Sequence, residues 1–76
     1  MEEFYNILLS KIKEKVNPTV YIVWFSDIEF NLEDGTLEIK SPNQFKSNVV
    51  KNEFSNMIKQ IMSEIVSDNI DLNFTY

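Results

Sequence analysis

Seventy-six residues with 43% hydrophobic side chains, one Gly and two Pro make one small globular domain, near the lower limit at which a single core sustains itself. The absence of Cys and His excludes a disulfide framework and a thiolate metal site, and removes the commonest general base. A net charge of −5, from seven Lys, no Arg and twelve acidic residues, argues against charge-driven binding of DNA or RNA.

The chain opens on Glu2-Glu3 where a secretory leader would carry basic residues. Its longest apolar run, Val20–Phe25, is far short of the roughly 20 residues that a membrane-spanning helix needs. A cytoplasmic setting without membrane contact is therefore expected. No repeat, linker or low-complexity segment interrupts residues 1–76, so a single domain is expected over the whole chain.

Residues 2–16 read as an amphipathic helix, with Phe4, Tyr5, Leu8, Leu9, Ile12 and Val16 on one stripe at 100° per residue. Glu2 and Glu3 suit its positive N-terminal end, and Asn17-Pro18 stops it. The run that follows is ambiguous, because local propensity favours a strand. As a strand, however, residues 20–25 would be buried on both faces, which so small a chain can hardly provide. A short helix begun by Pro18 or Thr19 is expected, with Tyr21, Trp24, Phe25 and Ile28 inward and Val20 and Val23 outside.

"IEFNLEDGTLEIK", residues 28–40, places Asp34-Gly35 between two alternating runs and predicts a hairpin. A two-residue turn pairs Glu33 with Thr36, Leu32 with Leu37, Phe30 with Ile39 and Glu29 with Lys40, which puts the apolar pairs on one face. A long helix is expected over 42–66, with Ser41 as N-cap, Pro42 at the first helical position and Gln44 reaching back in a capping box. Its apolar stripe is Val50, Phe54, Met57, Ile58, Ile61 and Ile65. "NIDLNFTY" then alternates Ile70, Leu72, Phe74 and Tyr76 as a third strand with one buried face.

One aromatic does not fit the long helix's stripe. Phe45 projects almost opposite it, with Val49 at i+4 and Asn48, Asn52 and Asn56 around them. An aromatic away from the core and ringed by amides suggests a small recognition patch. The plain alternative is that Phe45 folds back over the hairpin end or the short helix. Tyr5 lies within the first helix's core stripe, while Ile7 is the odd apolar residue on its polar side. The carboxylate pairs Asp27/Glu29 and Glu33/Asp34 have neither a partner base nor a metal-loop spacing, so neither catalysis nor a metal or other cofactor is expected.

In this order of elements, several marks resemble the N-terminal domain of the bacterial chromosomal replication initiator DnaA. They are Tyr5, Leu9, Ile12 and Val16, then Tyr21-x-x-Trp24-Phe25 and Ile28, then the hairpin apolars Leu32, Leu37 and Ile39. The most characteristic is "SPNQF", which stands for the family's A-P-N-x-F and is followed by Val49-Val50, Phe54 and Ile58. The resemblance covers essentially the whole chain. It implies an α+β fold of order α-α-β-β-α-β, a three-stranded sheet packed against helices and similar to a type II KH fold. It further implies a non-enzymatic interaction domain that supports initiator self-association and recruits the replicative helicase and regulatory proteins at the origin.

By the same resemblance, Tyr5 matches the family's self-association aromatic, with Ile7 extending that contact. Asn43 and Phe45 match its partner-binding surface, to which Val20 and Val49 are added. Val20 stands where some members carry an acidic residue implicated in helicase contact, and Tyr5, Asp27 and Ser41 stand where Trp, Pro and Ala are frequent. A single Gly cannot form the phosphate-binding G-x-x-x-x-G-K-[ST] loop of the family's ATPase. The alternative function is a standalone KH-like module for single-stranded nucleic acid, for which the charge is wrong and no G-x-x-G loop exists. At most a weak contact with single-stranded DNA is expected.

Overall fold

Helix α1 spans Glu2–Lys15, with Glu2 and Glu3 in its first turn and Lys13 and Lys15 in its last, both favourable to the helix dipole. The structure is a computed structural model that describes residues 2–66 and 69–76. Leu8 and Ile12 are fully buried on the inner side of α1. Pro18 favours an extended residue before it, and Asn17 is extended, which ends α1. The same geometry makes Asn17 the N-cap of the next helix, its Oδ1 accepting from the Val20 amide at 2.8 Å.

Helix α2, Pro18–Trp24, is therefore a helix built from strand-forming residues. It closes at Phe25, whose amide donates to the Tyr21 carbonyl at 2.9 Å. Phe25 is buried, and Tyr21, Trp24 and Ile28 are half-buried against the core, as the helical reading requires. Val23 faces outward, but Val20 is half-buried rather than outside. It precedes Trp24 by four residues and so shares that side chain's flank of the helix. The most exposed large apolar residue of α2 is Ile22, at 65%.

Strands β1 (Glu29–Glu33) and β2 (Thr36–Lys40) pair antiparallel in the expected register, from Glu29 opposite Lys40 to Glu33 opposite Thr36. Asp34 and Gly35 both take positive φ, 51° and 77°, as a turn matched to the strands' twist demands. Leu37 and Ile39 on β2 are fully buried. Strand β3, Asp71–Thr75, lies parallel to β2 on its other side, so the sheet order is β1-β2-β3 and β2 is central. Leu72 and Phe74 of β3 pack on the core, whereas Tyr76 lies past the strand and is 63% exposed, not buried.

Helix α3 spans Gln44–Ile65, and its start differs from the expected capping box. Asn43, not Ser41, is the N-cap, its Oδ1 accepting from the Lys46 amide at 2.9 Å. The Ser41 amide donates to the Thr75 carbonyl at 2.9 Å, which extends the β2–β3 ladder by one rung. Ser41 is thus still part of the sheet and is 2% exposed, and Asn43 is the residue whose carboxamide meets the first turn of the helix. Val50, Ile58 and Ile61 are fully buried, with Phe54, Met57 and Ile65 half-buried. Ser47 and Met62 are also buried beyond the expected stripe, because α3 packs against both α1 and β3 and so buries a wider face.

Candidate partner-binding surface

The Asn43 cap fixes where α3 begins, and that sets Phe45 in its first turn with the ring pointing out of the fold. Phe45 is 70% exposed, the most exposed large apolar side chain among the described residues. Its ring nevertheless has a neighbour: the Trp24 ring of α2 lies 6.4 Å away, tilted by 43°. Phe45 thus touches the short helix and still leaves most of its surface to solvent.

The end of α2 and the start of α3 are held together by a second contact. Lys46 Nζ donates to both carboxylate oxygens of Asp27, at 2.9 and 3.2 Å. This pair is half-exposed and contributes on the order of 1 kcal/mol at most. Its larger effect is geometric, because it ties the turn after α2 to the residue beside Phe45. Val23, 44% exposed, and Ile22 extend the apolar area along α2. Val49 is half-buried one turn below Phe45, while Asn43 is exposed with its side-chain oxygen committed to the cap. Phe45, Asn43, Val49 and Val20 thus belong to two elements that meet at Trp24.

Tyr5 sits elsewhere. Its hydroxyl accepts from the Leu32 amide of β1 at 2.9 Å and lies 3.5 Å from Asn31 Oδ1, and its ring meets Phe4 edge-on at 5.1 Å. Tyr5 is half-buried, and Ile7, two residues on, is 40% exposed. Among the described residues no aromatic pair or side-chain hydrogen bond joins these two to the Trp24–Phe45 pair. Tyr5 and Ile7 thus lie on α1, and the Trp24–Phe45 pair lies across α2 and α3.

Ile22 and Trp24 are the residues that sequence reasoning left out of the surface. Trp24 read as core, and half of it is. Ile22 could have been found by stepping 100° from Tyr21, which turns it off the buried side. Of the candidate carboxylates, Asp27 is taken by Lys46, and no group of three or more metal-ligating side chains occurs among the described residues.

The family model for the DnaA N-terminal domain matches residues 2–64. The chromosomal replication initiator protein DnaA of Herminiimonas arsenicoxydans is 29% identical over 75 residues, covering 97% of this chain and 16% of that protein. The DnaA proteins of Methylobacillus flagellatus and Borrelia turicatae are 26% and 27% identical, covering 95% and 96% of this chain and 15% of each relative. The chain thus spans less than a fifth of the length of these relatives, whose aligned part coincides with the helices and sheet described above. With the family match running from the start of α1 into the last turn of α3, the chain belongs to the DnaA N-terminal domain family.

Proposed function

We propose that this chain is a protein–protein interaction domain of a bacterial chromosomal replication initiator. It supports association between copies of the initiator and recruits the replicative helicase and regulatory proteins at the origin, in the cytoplasm and by binding rather than catalysis. The observation that carries this reading is Phe45, an aromatic left 70% exposed beside Trp24 and the most exposed large apolar side chain among the described residues. Exposed aromatics set in a firm frame are the usual anchors of protein interfaces, where a handful of residues carry most of the binding energy. The cap at Asn43 and the Lys46–Asp27 pair supply that frame.

The test is binding of the replicative helicase from the same organism, measured by calorimetry or surface capture. Phe45→Ala lowers the affinity by about 2 kcal/mol, the loss typical of an interface anchor. Helicase and regulators that bind the Ala variant as well as the parent would overturn the reading. Self-association through Tyr5 and Ile7 is tested by sedimentation, where Ile7→Glu weakens a concentration-dependent dimer without touching the bond between Tyr5 and β1.

A further inference from the structure

We propose that the outer edge of β3, with the flank of α3 beside it, is a second docking site, which takes an extended acidic peptide segment of a partner protein as a fourth strand. The inference goes beyond the surface at Phe45, shares no residue with it and stands or falls separately.

Among the described residues strand β3 pairs only with β2, which leaves one of its edges without a strand partner there. The Asp71 amide donates to the Gly35 carbonyl at 3.0 Å, and the Thr75 carbonyl accepts from the Ser41 amide at 2.9 Å. Those bonds turn the backbone of Asp71 and Thr75 toward β2. By the alternation of a strand, Leu72 and Phe74 turn their N–H and C=O groups outward. Among the described residues no turn, loop or cap bond reaches these four groups. The opposite edge of the sheet is treated differently, since the Leu32 amide of β1 is taken by Tyr5. Edges are commonly guarded by Pro, Lys or a bulge. The segment Asp71-Leu-Asn-Phe-Thr75 carries neither Pro nor Lys.

A groove of about 740 Å³ runs along this edge. Its helical wall is Lys51, Ser55, Lys59 and Ser63, which recur every fourth residue along one flank of α3, and Leu72 and Phe74 lie opposite. Of the other five lysines four are engaged, Lys11 and Lys15 with Glu64, Lys46 with Asp27 and Lys13 over the Tyr21 ring, while Lys40 stands on β2 away from this groove. Lys51 and Lys59 have no ion-pair partner among the described residues. Asp71, at the strand's start, is the one carboxylate among the groove's lining residues. A domain of net charge −5 therefore presents two unengaged cations beside an open strand edge.

That combination selects the occupant. An added strand satisfies the donors and acceptors of Leu72 and Phe74 at its own repeat, and acidic side chains on it meet Lys51 and Lys59. A second copy pairing β3 with β3 would set two lysine flanks against each other. Single-stranded nucleic acid would meet the lysines, but its phosphates have no donors for the two carbonyls, and the net charge repels a polyanion.

The experiment is an amide chemical-shift titration of the 76-residue chain. The probe is a blocked octapeptide of alternating Glu and Val, run against its Lys–Val counterpart and a thymidine octanucleotide. Two further versions of the acidic probe are N-methylated, one at every Glu and one at every Val. The acidic peptide shifts the amides of Leu72 and Phe74, and the basic one binds at least about ten-fold more weakly. One of the two N-methylated versions loses binding, because only alternate residues face the edge. The Lys51→Glu/Lys59→Glu variant, its fold checked by circular dichroism, inverts the preference between the peptides. No shift at millimolar peptide, equal binding of the two peptides, or shifts of the same amides at lower concentrations of the oligonucleotide would overturn the proposal.

Discussion

Ser41 and Asn43 trade the roles that a capping motif would assign them, and two small substitutions measure it. The Ser41 hydroxyl is buried with no hydrogen-bond partner among the described residues. Removing an unpaired buried polar atom is close to neutral or stabilising, since no bond is lost with it. Asn43 satisfies an otherwise orphan amide at the start of α3, and losing such a cap costs about 1 kcal/mol. Urea denaturation should therefore rank Asn43→Ala about 1 kcal/mol below the parent and Ser41→Ala level with it or above. The reverse order would restore Ser41 as the cap. The two phenylalanines of α3 make a parallel contrast. Phe54 is half-buried with its ring edge-on to Phe25 at 5.0 Å, so Phe54→Ala should lower stability by about 3 kcal/mol, a large fraction of what so small a domain has. Phe45 stands mostly in solvent, and Phe45→Ala should move the midpoint by no more than about 0.5 kcal/mol.

The elements differ in how much of each is decided locally. The hairpin is the most local, because Asp34-Gly35 needs positive φ at both positions and that turn alone sets the register. Among the described residues nothing lies within 4 Å of a Cβ built at Gly35, so Gly35→Ala should cost only the strain of positive φ, about 1–2 kcal/mol. Thermal melting should show that loss, and amide spectra should keep Phe30 opposite Ile39. Helix α2 is the least local: its seven residues, six of them strand formers, lie far below the length at which an isolated helix forms in water. A peptide of residues 16–28 should give no helical circular dichroism on its own. The helix is nonetheless legible in the sequence, since a strand there would need cover on two sides that the chain cannot supply. The start of α3 was not legible, because whether Ser41 caps a helix or extends a sheet depends on the Thr75 carbonyl, supplied from the far end of the chain. Likewise the alternation of Leu72 and Phe74 marks a strand, but its parallel pairing with β2 rests on contacts made only after α3 folds back. At the candidate surface, helical spacing turns Phe45 off the core stripe, but that its ring stays mostly in solvent is decided by the fold. Its neighbour Trp24 was not legible either, because their meeting depends on how α2 and α3 pack.

At the scale of the molecule, a three-stranded sheet has two edges to manage, and this chain manages the β1 side with one hydroxyl. Leu32 pairs with Leu37 at a position where the antiparallel ladder turns its amide outward, so Tyr5 holds a donor that β2 cannot. This gives Tyr5 a structural role alongside the self-association proposed for it, and a conservative change separates the two. Tyr5→Phe keeps the ring and its edge-on contact with Phe4 but removes the acceptor. Stability should fall by about 1 kcal/mol, the usual net value of such a bond. Hydrogen exchange at the Leu32 amide should quicken selectively, while Asn31 and Glu33, which face β2, keep their protection. If association between copies is carried by the ring of Tyr5 and by Ile7, the sedimentation profile of Tyr5→Phe should match the parent's, whereas Ile7→Glu should shift it toward monomer and leave Leu32 protected. A Tyr5→Phe chain that loses association together with Leu32 protection would place the self-association in the β1 edge and not in the aromatic face of α1.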